Sequence, residues 1–205
     1  LIREKMELDN DVCKLRLLKS SYDNRKWRLE DKLHVQYPRM IRMETQKLER
    51  YQKEVTLRNR NNTDGFSINI LGETYTDRKL AGKAFAKAIE HVSTQKMIGM
   101  YRGFEILWKK DAFLDHILIL KGCYSYNLEG SLTGYVNLDR IERFLGRFEK
   151  KISEIQSSIA DCKKDMEQAR TELERPFEKE EELKEKQARL QELNILLDLN
   201  DRKVA

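Results

Sequence analysis

Two prolines and nine glycines in 205 residues leave little material for turns, and this scarcity excludes a loop-rich chain. Helix is expected to dominate, the more so because Glu, Lys, Arg, Leu and Gln are abundant. Cysteine is equally sparse. Cys13, Cys123 and Cys162 are odd in number, widely separated and without paired spacing, which argues against a disulfide framework and a zinc site and points to a reducing cytoplasm. No apolar run approaches the ~18 residues of a membrane span, and no signal peptide opens the chain. The first residue is Leu1 rather than methionine, so the sequence reads as an excised fragment.

Nucleotide and metal motifs are lacking too. There is no glycine-rich phosphate loop ending in Gly-Lys-Ser/Thr, no acidic helicase box and no Gly-x-Gly-x-x-Gly after a strand. His34, His91 and His116 have no Cys, Asp or Glu at ligand spacing. Asp115 and His116 are neighbours in an expected strand and would point to opposite faces, which denies them a shared pocket. The acidic run Glu178, Glu180, Glu181 and Glu182 suits a helix N-terminus better than a cation. No cofactor, metal or catalytic residue is expected in this chain.

What is present is charge: 37% of residues are Asp, Glu, Lys or Arg, the apolar share is 40%, and the net charge is +5. Residues 1–60 hold 16 Lys/Arg against 10 Asp/Glu, 61–136 hold 9 against 8, and 137–205 hold 15 against 17. The amino-terminal segment is therefore the basic one, which fits nucleic acid, an acidic partner or simply a solvated helix.

Periodicity divides the chain in three. Over residues 1–60, Leu8, Val12, Leu15, Tyr22, Leu29 and Leu33, then Tyr37, Ile41, Leu48, Tyr51 and Val55, place one apolar stripe on a long helical arm, with a bend or split expected near Pro38. Residues 61–136 change period. Phe66, Ile68 and Ile70 predict a strand, Thr76 or Asp77 a cap, and Leu80, Ala84, Phe85, Ala88, Ile89 and Val92 the buried face of a helix. Three further strands are expected, over about Met100–Trp108, Phe113–Leu120 and Cys123–Leu128. Within the first of these, the glycine of Tyr101-Arg102-Gly103-Phe104 suits strand packing first, with a close backbone approach, a bulge or a ligand as the alternatives. In residues 137–205, Ile141, Leu145, Phe148, Ile152, Ile155, Ile159, Cys162, Met166, Ala169 and Leu173 repeat at four and three, a heptad stripe broken near Pro176. The expected fold class is α+β and mainly helical: long antiparallel coiled-coil arms flank a small head made of an antiparallel sheet with one packed helix. Each arm would extend roughly 50 Å for ~35 residues. Dimerisation through the same stripes is the competing arrangement.

Two cationic clusters follow from the spacing. Arg140, Arg143, Arg147 and Lys151, three or four apart, form one ridge that can track phosphates or, equally, a solvated flank paired with Glu142 and Glu149. Arg25, Lys26, Arg28 and Lys32 make a second cluster around Trp27, whose indole suits packing against the partner arm or stacking on a base.

The stretches Gly72-Glu73-Thr74-Tyr75-Thr76-Asp77-Arg78-Lys79, Gly99-Met100-Tyr101-Arg102-Gly103-Phe104, and Arg175-Pro176-Phe177 through to Arg189-Leu190-Gln191-Glu192-Leu193-Asn194 form a further pattern. So do Leu18-Lys19-Ser20 and Leu29-Glu30-Asp31-Lys32-Leu33. Together they resemble the carboxy-terminal region of large bacterial mobile-element proteins that join an adenine-specific DNA methyltransferase to a Swi/Snf-type helicase. That resemblance implies a bacterial, cytoplasmic parent that moves on DNA, with its catalytic residues in modules outside these 205. The expected role is a non-catalytic accessory region that contacts DNA phosphates; the alternative is a scaffold docking the parent's motor or another conjugation protein.

Overall fold

The computed structural model describes residues 1–110 and 116–204, with side chains as far as Leu197. Six α-helices and one six-stranded antiparallel sheet account for most of it. The chain divides into two compact units, one of residues 1–41 with 161–205 and the other of Arg42–Ala160.

The first unit contains α1 (Ile2–Asp31) and α6 (Glu180–Val204), the last turns of α5 (Phe148–Leu173), and the start of α2 (Tyr37–Arg60). Val12, Leu15 and Leu183 are buried together, with Leu190 packed against them. Glu4 pairs with Arg189, Asp11 with Lys186 and Lys19 with Glu180, so α6 runs antiparallel to α1. Helical turns continue through Pro38, so the arm is not split there. The adjustment lies just upstream, where Lys32–Gln36 is a π-helical turn and the Tyr37 amide donates to the Lys32 carbonyl. Proline would otherwise press its ring on the carbonyl four residues back, and one wide turn relieves that clash. The chain between α5 and α6 contains Pro176.

The second unit is built on the sheet: β1 (Ile68–Ile70), β2 (Glu73–Tyr75), β3 (Lys96–Tyr101), β4 (Phe104–Lys110), β5 (His116–Lys121) and β6 (Ser125–Glu129), in the order β2-β1-β3-β4-β5-β6. Two corrections to the expected strands have one cause. Residues 100–108 form parts of two strands, because Tyr101 pairs with Phe104 across an Arg102-Gly103 turn at φ 48° and 83°. Likewise β2 was missed, and Ile70 pairs with Glu73 across Leu71-Gly72 at φ 52° and 93°. Positive φ at both central residues is the tight hairpin turn whose twist matches the strands. The first position is Arg or Leu here, which carries no turn signal in the sequence. Of the expected Phe113–Leu120 strand, 113–115 lie outside the described residues, and β5 begins at His116.

Two helices, not one, cover the sheet. Helix α3 (Arg78–Glu90) starts at Asp77, whose carboxylate accepts the amides of Lys79 (2.8 Å) and Leu80 (2.9 Å). Helix α4 (Gly134–Leu145) follows β6. Its approach to α3 depends on glycine, since a Cβ at Gly134 would overlap the Gly82 carbonyl and stand 2.9 Å from the Ala86 nitrogen. The core joins Ile68, Ile70, Phe85, Ile98, Phe104, Ile106, Trp108, Leu118 and Leu120 with Leu138, Ile141, Leu145 and Phe148. The first three members of the heptad stripe are therefore packed in the core of the sheet unit. Leu80, expected on the buried face of α3, is 56% exposed.

Candidate nucleic-acid interface

The cationic ridge begins on α4. Arg140 donates to the Glu129 carbonyl (2.6 Å) and lies 3.4 Å from its carboxylate, while Arg143 pairs with Asp139 one turn back. Helix α4 then closes at Gly146, whose amide reaches the Glu142 and Phe144 carbonyls, so Arg147 stands in the break and is exposed. Lys151 on α5 pairs with Glu154 at 2.7 Å. The four cations are thus one series interrupted by a turn, and three of them are occupied by ion pairs. Their partners are not the expected ones. Glu142 instead binds Arg78 (2.6 Å) and the Tyr101 hydroxyl (2.9 Å), and Glu149 pairs with Arg58.

These two glutamates act as struts. Arg58 Nη1 also donates to the Leu145 carbonyl at 2.8 Å, satisfying an orphan at the end of α4, and its hydrogen bond holds the Glu149 carboxyl below the usual range. Burial, then the hydrogen bond to Glu142, pushes the Tyr101 phenol up to about 12. Glu54 on α2 is a fully buried charged side chain, with 0% of its surface exposed. Its two oxygens accept the amides of Cys123 (3.1 Å) and Tyr124 (2.8 Å) at the β5–β6 turn. Arg50, one turn earlier, lies 4.3 Å above the Tyr124 ring. Burial, followed by the charge and hydrogen bond of Glu54, raises the Tyr126 phenol strongly. This is a fastening for the hairpin: each carboxylate oxygen has a backbone donor, and the arrangement has no reacting partner.

The second cluster lies in the first unit. Arg25 pairs with Glu172, whereas Lys26, Arg28 and Lys32 are exposed. Trp27 is 68% exposed, so the expected packing against another helix does not occur. Twelve residues beyond the buried Leu15, it falls about 120° round the helix from that side. Beside it, Leu18, Tyr22, Leu29 and Phe177 line a groove of about 350 Å³ whose rim carries Arg25 and Lys26. Three of the four acids of the run are committed to lysines: Glu180 to Lys19, Glu181 to Lys184 and Glu182 to Lys186.

His116 stacks on Trp108 at 5.3 Å, and its partner in the suggested dyad, Asp115, lies outside the described residues. Among the described residues no group of His, Cys, Asp and Glu is arranged to hold a metal ion, and no described helix is long and apolar enough to cross a membrane.

The fold redistributes the charge. Residues 42–160 contain 20 Lys/Arg against 15 Asp/Glu, and the remainder of the chain contains 20 against 20. The whole net charge of +5 therefore belongs to the sheet unit, while the cationic surplus of residues 1–41 (10 against 7) is cancelled by the acidic surplus of 161–205 (10 against 13), with Lys19 paired to Glu180 and Arg25 to Glu172. A count along the sequence missed this because the compensating acids are more than 140 residues away. The chain matches no known protein family, no curated protein and no solved structure.

Proposed function

We propose that this chain is a non-catalytic, DNA-engaging accessory region in which residues 42–160 hold the phosphate backbone. The observation that carries this reading is the charge division between a neutral helical unit and a sheet unit with a surplus of five cations. Phosphate contacts supply affinity without sequence reading, which suits a module that steadies DNA for a motor elsewhere in a longer protein. The parent of this reading is a bacterial helicase joined to a DNA methyltransferase, as the motif resemblance implies. In that setting the stripes on α1, α5 and α6 serve as antiparallel coiled-coil arms, and neither cofactor nor metal is required.

A scaffold is the second reading, favoured by the exposed Ile2, Met6, Leu17 and Trp27 of α1, which offer apolar surface to a protein partner. Fluorescence anisotropy of labelled duplex and single-stranded DNA with the full chain, repeated across salt, separates the two. DNA engagement predicts binding at low salt that weakens log-linearly with salt. A scaffold predicts no DNA binding and tight capture of the motor fragment in sedimentation.

A further inference from the structure

Helix α3 carries a cationic face of a different kind from the ridge on α4. Lys79, Lys83 and Lys87 are four residues apart, which advances each about 40° round the helix and about 6 Å along it, so the three ammonium groups share one side. All three are exposed, and among the described residues none has a carboxylate within ion-pair distance. The cap residue Asp77 is committed to two backbone amides, and Glu90, at the last residue, is the sole carboxylate of the helix. Arg58, Arg78, Lys121, Arg140, Arg143 and Lys151 in the same unit are all paired. The α3 lysines also repel one another, because like charges at i and i+4 destabilise a helix. A row of cations kept at that disadvantage, on a rigid helix anchored by Phe85, Ala88 and Ile89, is matched to an extended polyanion.

From this charge complementarity we infer that the Lys79–Lys83–Lys87 face of α3 is the surface that lies along the nucleic-acid backbone. The inference rests on the DNA-engaging reading above and assigns its contact residues. A nucleic-acid strand is favoured over an acidic protein because protein interfaces are depleted in lysine and enriched in aromatic anchors, and this face has three lysines and no aromatic ring. Contacts of this type read no sequence.

The test uses the full chain, a fluorescein-labelled duplex of about 20 base pairs, and anisotropy titrations between about 50 and 200 mM KCl. K79Q/K83Q/K87Q is compared with the unaltered protein. Three phosphate contacts at about 0.9 each predict a log affinity against log salt slope shallower by about 2.7, so the unaltered chain loses about 40-fold more affinity over that range than the variant. Single Lys83→Gln, expected to flatten the slope by about 0.9, serves where the triple variant fails to fold. Equal slopes in unaltered and variant proteins overturn this assignment and leave the DNA reading standing. Failure of the unaltered chain to bind duplex at the lowest salt overturns both, and binding of polyglutamate in its place moves the face to an acidic polypeptide.

Discussion

Glu54→Ala tests the fastening of α2 to the β5–β6 hairpin. The fully buried carboxylate accepts the Cys123 and Tyr124 amides, so the substitution orphans two backbone donors in a site water does not reach. A buried donor left without its acceptor costs about 1–3 kcal/mol, and two donors are orphaned, so a loss of about 4 kcal/mol is expected. Glu54→Gln keeps one carbonyl oxygen for one amide but turns an NH2 toward the other, for an expected loss of about 2 kcal/mol. Urea unfolding followed by Trp108 fluorescence in a Trp27→Phe background reports on the sheet unit alone, since Trp108 is buried in its core. At a urea dependence of about 2 kcal/mol per molar, the Ala variant moves the midpoint down by about 2 M and the Gln variant by about half that. An Ala variant within about 1 kcal/mol of the parent, or no difference between Ala and Gln, would refute the assignment of Glu54 as a buried hydrogen-bonded strut.

Further predictions concern the same unit. Gly134→Ala places a methyl group against the Gly82 carbonyl and the Ala86 nitrogen of α3, and backbone cannot yield as a side chain would; a loss of about 3 kcal/mol is expected in the same urea assay. Tyr101 keeps its proton to about 12 in the folded chain but only to the ordinary 10 when unfolded, so its contribution is complete below pH 10 and disappears as pH climbs toward 12. Tyr101→Phe is therefore expected to shallow the alkaline decline, read as unfolding midpoints between pH 9 and 12, and to cost about 1.5 kcal/mol at neutral pH. Glu149 is shifted the other way. Its Arg58 partner lowers the folded-state value, so the stabilisation is complete above the unfolded carboxyl range and is lost as pH falls through the folded value. Arg58→Met is expected to remove that acid-side dependence, measured by thermal melts from pH 7 down to 3.

The α3 lysines bring the same electrostatics to function. Replacing them with glutamine removes two like-charge pairs, so thermal melting is expected to hold or rise slightly even as DNA binding weakens.

Helical dominance and a cap at Thr76 or Asp77 were legible in the sequence, because composition and capping act locally, and the structure places the cap at Asp77. The buried side of α3 was legible at Phe85, Ala88 and Ile89, yet Leu80 was misplaced, since the first turn of a helix is positioned by its cap and need not reach the core. Ile141, Leu145 and Phe148 continue the heptad spacing in the sequence, but Gly146 ends α4 between Leu145 and Phe148, and the sheet they pack on takes all three out of the stripe. Leu71-Gly72 and Arg102-Gly103 were illegible as turns because φ above zero is supplied by the hairpin's twist against the preference of Leu and Arg. Glu54 resembled any solvated helix glutamate until β5 and β6 arrived over it, 69 residues later for Cys123. The Lys79, Lys83, Lys87 spacing was open to inspection throughout, but a near-balanced charge total for residues 61–136 hid it; counting by helix face would have found it.

The proposed nucleic-acid contact belongs to the sheet unit and not to the helical one. Photocrosslinking of the full chain to bromodeoxyuridine-substituted duplex, with adducts mapped by peptide mass spectrometry, tests this directly. Adducts concentrated within residues 42–160, α3 included, are the predicted result. Adducts confined to residues 1–41 and 161–205, or none under conditions where anisotropy reports binding at low salt, would contradict it.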